Sequence, residues 1–252
     1  MFVESGGSGA PTLLLLHGLG ANAAVWRKLL PLVETHWPGR WIAPDLLGHG
    51  RSPVSPIYSY GAHAAALAEA MGQGKRVAIL GHSFGGVIGL MLATGWFGVD
   101  VRHVLALGVK LSWSPNDLAR MANLSEAPVR WFEERAAAAE RYLRVAGLSG
   151  LAAPESEMAS AGIVEESGRF RLAADPRIHL VGAPPIDDLI SVIKVPVRFA
   201  AGAADQMVGL DDMRRYDPTA EIITEAGHNT HVERPEKVWT LFEQMMRRTQ
   251  AE

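Results

Sequence analysis

The reading turns on residues 76–90, Arg76-Val77-Ala78-Ile79-Leu80-Gly81-His82-Ser83-Phe84-Gly85-Gly86-Val87-Ile88-Gly89-Leu90. Its opening run is apolar without alternation, which suits a strand buried on both faces of a parallel sheet. A helical stretch, read over 84–97, follows at once. The two are joined by a G-x-S-x-G turn, and a strand on one side with a helix on the other is the setting that gives this pattern meaning. So sharp a turn places Ser83 in a strained backbone conformation, and Gly81 and Gly85 carry no Cβ that would clash there. The helix start adds free N–H groups and the positive end of its dipole beside the serine. Gly86 and Gly89 let the helix lie close on the sheet. A glycine-rich turn with an incidental serine is the plain alternative; the flanking elements favour a nucleophile.

Outward from this turn, further apolar runs occur at Thr12–Leu16, Trp41–Ala43 and His103–Val109, with helix-like stretches at Ala24–His36, Tyr60–Met71 and Phe84–Phe97. Strand and helix in alternation predict an α/β fold with a parallel sheet covered on both sides. Gly6-Gly7-Ser8-Gly9 reads as a tight turn after a short first strand. From about Ser112 to about Ile190 no buried strand is read. That stretch is rich in Ala, Arg and Glu, is punctuated by Pro115, Pro128, Pro154 and Pro184-Pro185, and has its best helix candidate at Glu126–Val145. Strands resume at Val195–Ala200 and Glu221–Thr224, and a helix from about Arg234 to Arg248 ends the pattern. The expected organisation is a core from 1–111 and 191–252, with a helical lid, 112–190, inserted in it. No repeat or low-complexity tract interrupts it.

Composition bounds the function. The 252 residues are 48% hydrophobic and 20% charged, with a formal net charge of −3, the profile of a globular chain that can fill a core. Acids and bases are interspersed without a basic stripe, so nucleic acid is not an expected partner. Cysteine is absent, which excludes disulfides, thiolate nucleophiles and cysteine-ligated metals. The first residues lack a basic n-region and a long apolar h-region, and no apolar run approaches the roughly 20 residues that span a bilayer. A cytoplasmic setting without membrane insertion is expected.

The turn at Ser83 resembles the nucleophile elbow of the α/β-hydrolase family. Three other segments carry the resemblance. His17-Gly18-Leu19-Gly20 follows the Thr12–Leu16 strand as the family's oxyanion loop does. Pro44-Asp45-Leu46-Leu47-Gly48-His49-Gly50-Arg51-Ser52 is similar to its turn after the next strand. Ala226-Gly227-His228, with Glu233-Arg234-Pro235-Glu236 behind it, is similar to its histidine loop. The resemblance covers nearly the whole chain outside the insertion. It implies a mostly parallel, doubly wound sheet, here of about seven strands because only 16 residues precede His17 and the family's first antiparallel strand is expected to be missing. It also implies a helical cap over the active site.

A serine hydroxyl is a weak nucleophile at neutral pH and needs a base, which in turn needs an orienting acid. In this fold they follow in the order serine, acid, histidine, and the sequence offers Ser83, Asp205 and His228. Asp205 and His228 both stand just past the carboxyl ends of strands, where open α/β sheets hold their ligands. Asp211 and Asp212 are rival acids, read instead as the start of a helix. Asp45 is read as a turn residue. His231 is the rival base; paired with His228 it has weak metal-ligand spacing, but no third ligand presents itself and no metal or cofactor is expected. His82, His17 and His49 are read as structural hydrogen-bond partners. Two N–H donors should receive the oxyanion: that of Phe84, directly after the nucleophile, and that of Leu19 in the oxyanion loop.

A serine at the elbow argues against the aspartate-based dehalogenases and epoxide hydrolases of the family. Val87, where the menaquinone-pathway synthases have arginine, and Leu19-Gly20-Ala21-Asn22, where the carbon–carbon hydrolases carry Ser-Gly-Pro-Gly, argue against those branches. The default is hydrolysis of a small to medium, largely apolar ester or lactone. A non-hydrolytic or ligand-sensing member using the same pocket is the alternative. Trp113, Met121, Trp131 and Phe132 are candidate pocket residues in the lid; anchoring the lid to the core is their plainer role. The lid arginines 120, 130, 135, 141 and 144 are read mainly as a solvated helix face, although one of them suits a substrate carboxylate.

Overall fold

A computed structural model describes residues 1–72 and 74–248. The elements are β1 (Val3–Gly6), β2 (Thr12–Leu16), α1 (Leu30–His36), β3 (Trp41–Pro44), α2 (Tyr60–Met71), β4 (Arg76–His82), α3 (Phe84–Ala93), β5 (Asp100–Leu107), α4 (Pro115–Ser125), α5 (Arg135–Val145), α6 (Glu157–Ala161), β6 (Ile163–Glu166), β7 (Arg169–Leu172), α7 (Ile186–Val192), β8 (Val197–Gly202), α8 (Leu210–Arg214), β9 (Glu221–Ile223), α9 (Thr230–Glu233) and α10 (Pro235–Arg248). Seven strands form one sheet in the order β1-β3-β2-β4-β5-β8-β9. Only β1 is antiparallel, against β3; the other pairings are parallel. Strand order reverses between β2 and β4, so their carboxyl ends flank the crevice where such sheets place ligands.

Alternation along β2 shows why the sheet is covered twice. Leu13 and Leu15 face one apolar cluster, with Trp26, Val33, Trp239 and Phe242. Leu14 and Leu16 face the other, with Leu67, Ile88, Leu90 and Phe199. All four leucines are buried, at about 1.5–3 kcal/mol each relative to exposure. Helix α3 is buried at all ten positions, as a helix apolar on every side must be.

Several boundaries move for local reasons. The stretch read as one helix over 24–36 is a 3-10 turn, Ala23–Trp26, followed by α1, whose first turn holds Pro31. Helix α3 ends at Ala93, before two left-handed glycines, Gly95 and Gly98. β5 spans Asp100–Leu107, earlier than read, and β8 starts after Pro196, which has no N–H for the ladder. β9 stops at Ile223, one residue short of the expected end.

The insertion departs further from expectation. Helix forms only from Arg135, since Pro128 breaks the preceding stretch and Phe132 pairs with Phe170 as an isolated bridge. An antiparallel hairpin, β6–β7, lies where no strand was expected. Its two-residue turn, Ser167-Gly168, has positive φ at both positions, the geometry that matches strand twist. Residues of α5 and α6, among them Ala139, Tyr142, Leu143 and Ala159, belong to the same apolar cluster as β2 and α10. This half of the insertion is therefore continuous with the core. Among the described residues no helix is long and apolar enough to cross a membrane.

Candidate active site

Ser83 sits between β4 and α3 with φ 50° and ψ −114°, a left-handed conformation costly for a residue with a Cβ and retained where surrounding structure enforces it. Two contacts enforce it. The Ser83 amide donates to the Leu107 carbonyl at 2.7 Å. At Gly85 a side chain would collide with the carbonyl oxygens of Leu16 and His17, so only glycine lets α3 start this close to β2.

The candidate acid and the candidate base are brought together. His228 Nδ1 donates to Asp205 Oδ2 at 2.8 Å, with the Asp205 side chain fully buried and that of His228 22% exposed. Asp205 Oδ1 accepts the Met207 amide at 2.9 Å. A carboxylate only accepts, so Nδ1 carries the proton and Nε2 is left with its lone pair. Gly108, at the end of β5, closes this arrangement: with φ +59°, its absent Cβ would lie 3.2 Å from the His228 ring and 3.4 Å from Asp205 Oδ2. Ser83 is thus tied to Leu107, and the next residue packs on the histidine–aspartate pair. A second link is His82, whose Nε2–H donates to the His228 carbonyl at 2.9 Å. The Ser83 hydroxyl itself has no hydrogen-bond partner among the described residues, His228 included.

The His17-Gly18-Leu19-Gly20 loop packs on the turn at Ser83. A side chain at Gly18 would lie 3.5 Å from Ser83 Cβ. His17 Nε2 accepts the Leu46 amide at 2.9 Å, so its Nδ1 is the protonated nitrogen, and it donates to the Gly18 carbonyl at 2.8 Å. That carbonyl also receives Ala21 N–H at 3.2 Å. Fixing the Gly18 carbonyl fixes the opposite side of the same peptide plane, the Leu19 N–H. Neither that N–H nor the Phe84 N–H has an acceptor among the described residues.

The other sequence candidates separate. Asp211 and Asp212 lie in the first turn of α8, and Asp212 accepts from Ser112 Oγ at 3.0 Å. His231 is buried against Trp26 and His82, with ring centroids 4.4 and 4.5 Å apart. Asp45 does more than cap a turn: fully buried, it accepts the amides of Ala23 and Arg51 and the Arg51 guanidinium. Burial opposes its ionisation, but these bonds hold its carboxyl below the usual range. Trp113 Nε1 donates to the Lys110 carbonyl at 3.0 Å, and Met121 lies on α4. The Trp131 ring is covered by Arg169 and Arg171, with Arg130 over Phe132, so both rings pack within the insertion's own hairpin region. Sequence reasoning missed Asn22, Tyr142 and Asn229, which join the insertion to the site loops. No group of three or more possible metal ligands occurs among the described residues.

The site is ringed by histidines that burial keeps neutral. Burial pushes His63 down to about 4 and His231 to about 3, and lowers His17, His49 and His82. In the unfolded chain these rings return to roughly 6.5. Below that pH the unfolded state binds protons that the folded state refuses, so stability falls with pH from about 6.5 toward 4 and is fully present above it. Urea midpoints are expected to drop between pH 7.5 and 5, and His231→Leu should flatten the slope. Equal midpoints at both pH values would contradict this.

The family model described as "Alpha/beta hydrolase family" matches residues 13–241. Lipase LipV of Mycobacterium tuberculosis is 40% identical over 92 residues, 35% of this chain and 33% of that protein. The magnesium-chelatase 30 kDa subunit of Rhodobacter capsulatus is 38% identical over 96 residues, 36% of this chain and 33% of that one. The chain is thus matched over about a third of the length of these curated relatives. Among solved structures, the thioesterase domain from the curacin biosynthetic pathway superposes with TM-score 0.77 at 20% identity, covering 95% of this chain and 94% of that one. E-2-(acetamidomethylene)succinate hydrolase gives 0.77 at 22% identity, covering 97% and 94%. At these identities the likeness is one of fold.

Proposed function

Because the chain belongs to the alpha/beta hydrolase family, we propose that it is a serine hydrolase cleaving a small to medium, largely apolar carboxylic ester or lactone through an acyl-enzyme on Ser83. The observation that carries this reading is the His228–Asp205 hydrogen bond of 2.8 Å beside a serine held at positive φ. In this reading Ser83 Oγ attacks the carbonyl carbon as His228 Nε2 takes its proton. Negative charge gathers on the carbonyl oxygen, which the N–H groups of Leu19 and Phe84 receive. His228 then returns the proton to the leaving alkoxide, and the acyl group stays on Ser83. Water, deprotonated by His228, attacks the ester so formed, and the acid leaves as Ser83 recovers its proton. Asp205 stays ionised throughout and stabilises the imidazolium. The hydrogen bond between Ser83 and His228 that this needs forms as substrate seats, as such bonds tighten in the reacting complex.

Residues 112–190 are proposed as a cap that shapes the substrate pocket, with Trp113 and Met121 on its apolar wall. Trp131 and Phe132 act there through the hairpin they pack on. Each substrate methylene buried is worth about 0.8 kcal/mol. Steady-state hydrolysis of p-nitrophenyl esters from acetate to octanoate, and of γ-lactones, tests the reading. Trp113→Ala is expected to raise KM for the longer esters by several-fold while acetate is cleaved at nearly the normal rate. Absence of turnover on the whole panel would contradict hydrolysis; an equal loss on every ester would contradict the pocket role of Trp113.

A further inference from the structure

We propose that helix α5 is a catalytic brace: through Asn22, Tyr142 and Asn229 it holds the oxyanion loop and the histidine loop in one register, which makes these three positioning residues. The proposal rests on the roles given above to Leu19, Ser83 and His228.

Asn22 stands three residues after Leu19 and is fully buried. Its Oδ1 accepts the Ala24 amide at 2.9 Å, and its Nδ2 donates to Tyr142 Oη at 2.7 Å and to the Met158 carbonyl at 3.0 Å. The oxyanion loop is therefore tied to α5 and α6 by both N–H bonds of one buried amide. Asn229 stands directly after His228 and is also buried. Its Nδ2 donates to the carbonyls of Ala146 and Gly147, at 3.2 and 2.9 Å. Tyr142 lies in α5 and Ala146 immediately caps it. Four residues apart, they occupy one helical face. A single turn of helix thus touches the loop of the proposed oxyanion donor and the loop of the proposed base.

The helix itself is held. Ala138, Ala139, Tyr142 and Leu143 are buried, and a side chain at Gly162 would run into the Tyr142 ring. Burial raises the Tyr142 hydroxyl above the ordinary phenol range, so it stays neutral. Neither buried asparagine amide can leave these carbonyl and hydroxyl acceptors without an unpaired N–H, so opening a hinge at this place is disfavoured. Precision between donor and base is what such a clamp supplies, and a misplacement of about 1 Å costs on the order of a hundredfold in rate.

Tyr142→Phe keeps the buried ring and removes only the hydroxyl; Asn229→Ala removes the other tie. Both, and the double variant, are compared with the unmodified chain by melting temperature, by kcat and KM on p-nitrophenyl acetate and octanoate, and by hydrogen–deuterium exchange. Each single change is expected to lower kcat by roughly tenfold or more on both esters with KM within about twofold. The double variant should lose less than the product of the single losses, because both act through one helix. Exchange in Tyr142→Phe should quicken at 18–22 and also at 227–231. An unchanged kcat, a loss confined to KM of octanoate, or faster exchange confined to α5 would overturn the brace. If the unmodified chain turns over no ester, the proposed function fails, while the exchange experiment still decides the coupling of the two loops.

Discussion

Ser83→Ala is expected to abolish ester turnover, a loss on the order of a millionfold in kcat, with the fold intact. The elbow's strain lies in the backbone, at φ 50°, and is held by the Ser83 amide on the Leu107 carbonyl; alanine keeps that amide and is smaller. The hydroxyl has no hydrogen-bond partner among the described residues, so its removal leaves no buried group unpaired. Circular dichroism and melting temperature should match the parent while p-nitrophenyl acetate hydrolysis falls to background. Substantial turnover by the alanine variant would remove Ser83 from the mechanism.

Asp205→Asn should cost about ten-thousandfold in kcat, by analogy with the best-studied triad. The reason here is specific. Asp205 Oδ1 accepts the Met207 amide and Oδ2 accepts from His228 Nδ1. An asparagine that keeps its oxygen on Met207 turns its NH₂ toward His228. Nδ1 must then accept, the proton moves to Nε2, and the ring meets the serine as a donor instead of a base. Asp211→Asn and Asp212→Asn, in the first turn of α8, should leave kcat nearly unchanged. A nearly silent Asp205→Asn with a crippling change at either of the other two would reassign the acid.

The sheet and the three triad candidates were legible because the signals were local. An unbroken apolar run such as Thr12–Leu16, or G-x-S-x-G between strand and helix, states its environment within a dozen residues. The insertion was not legible in this way. Its hairpin is short and half exposed, so β6 and β7 have no buried run to mark them; the signal overlooked was Ser167-Gly168, a two-residue turn between them. The helix read from Glu126 was begun too early, because propensity carries no information about the Phe132–Phe170 pairing that holds the residues before Arg135 out of it. Asn22, Tyr142 and Asn229 belong to no motif. Their partners are 120 and 83 residues away in sequence, and only packing brings them together. Asp45 was read as a turn residue, yet it organises Ala23 and Arg51 from inside the core, a role set by burial and not by the local pattern.

The central claim is that Ser83 is the nucleophile activated by His228. A fluorophosphonate probe, which reacts with an activated serine, tests it at residue level when the labelled protein is digested and mapped by mass spectrometry. The account predicts one adduct, on Ser83, whose formation is lost in His228→Ala and retained in His231→Leu. An adduct on another residue, or labelling of Ser83 at an unchanged rate in His228→Ala, would contradict it.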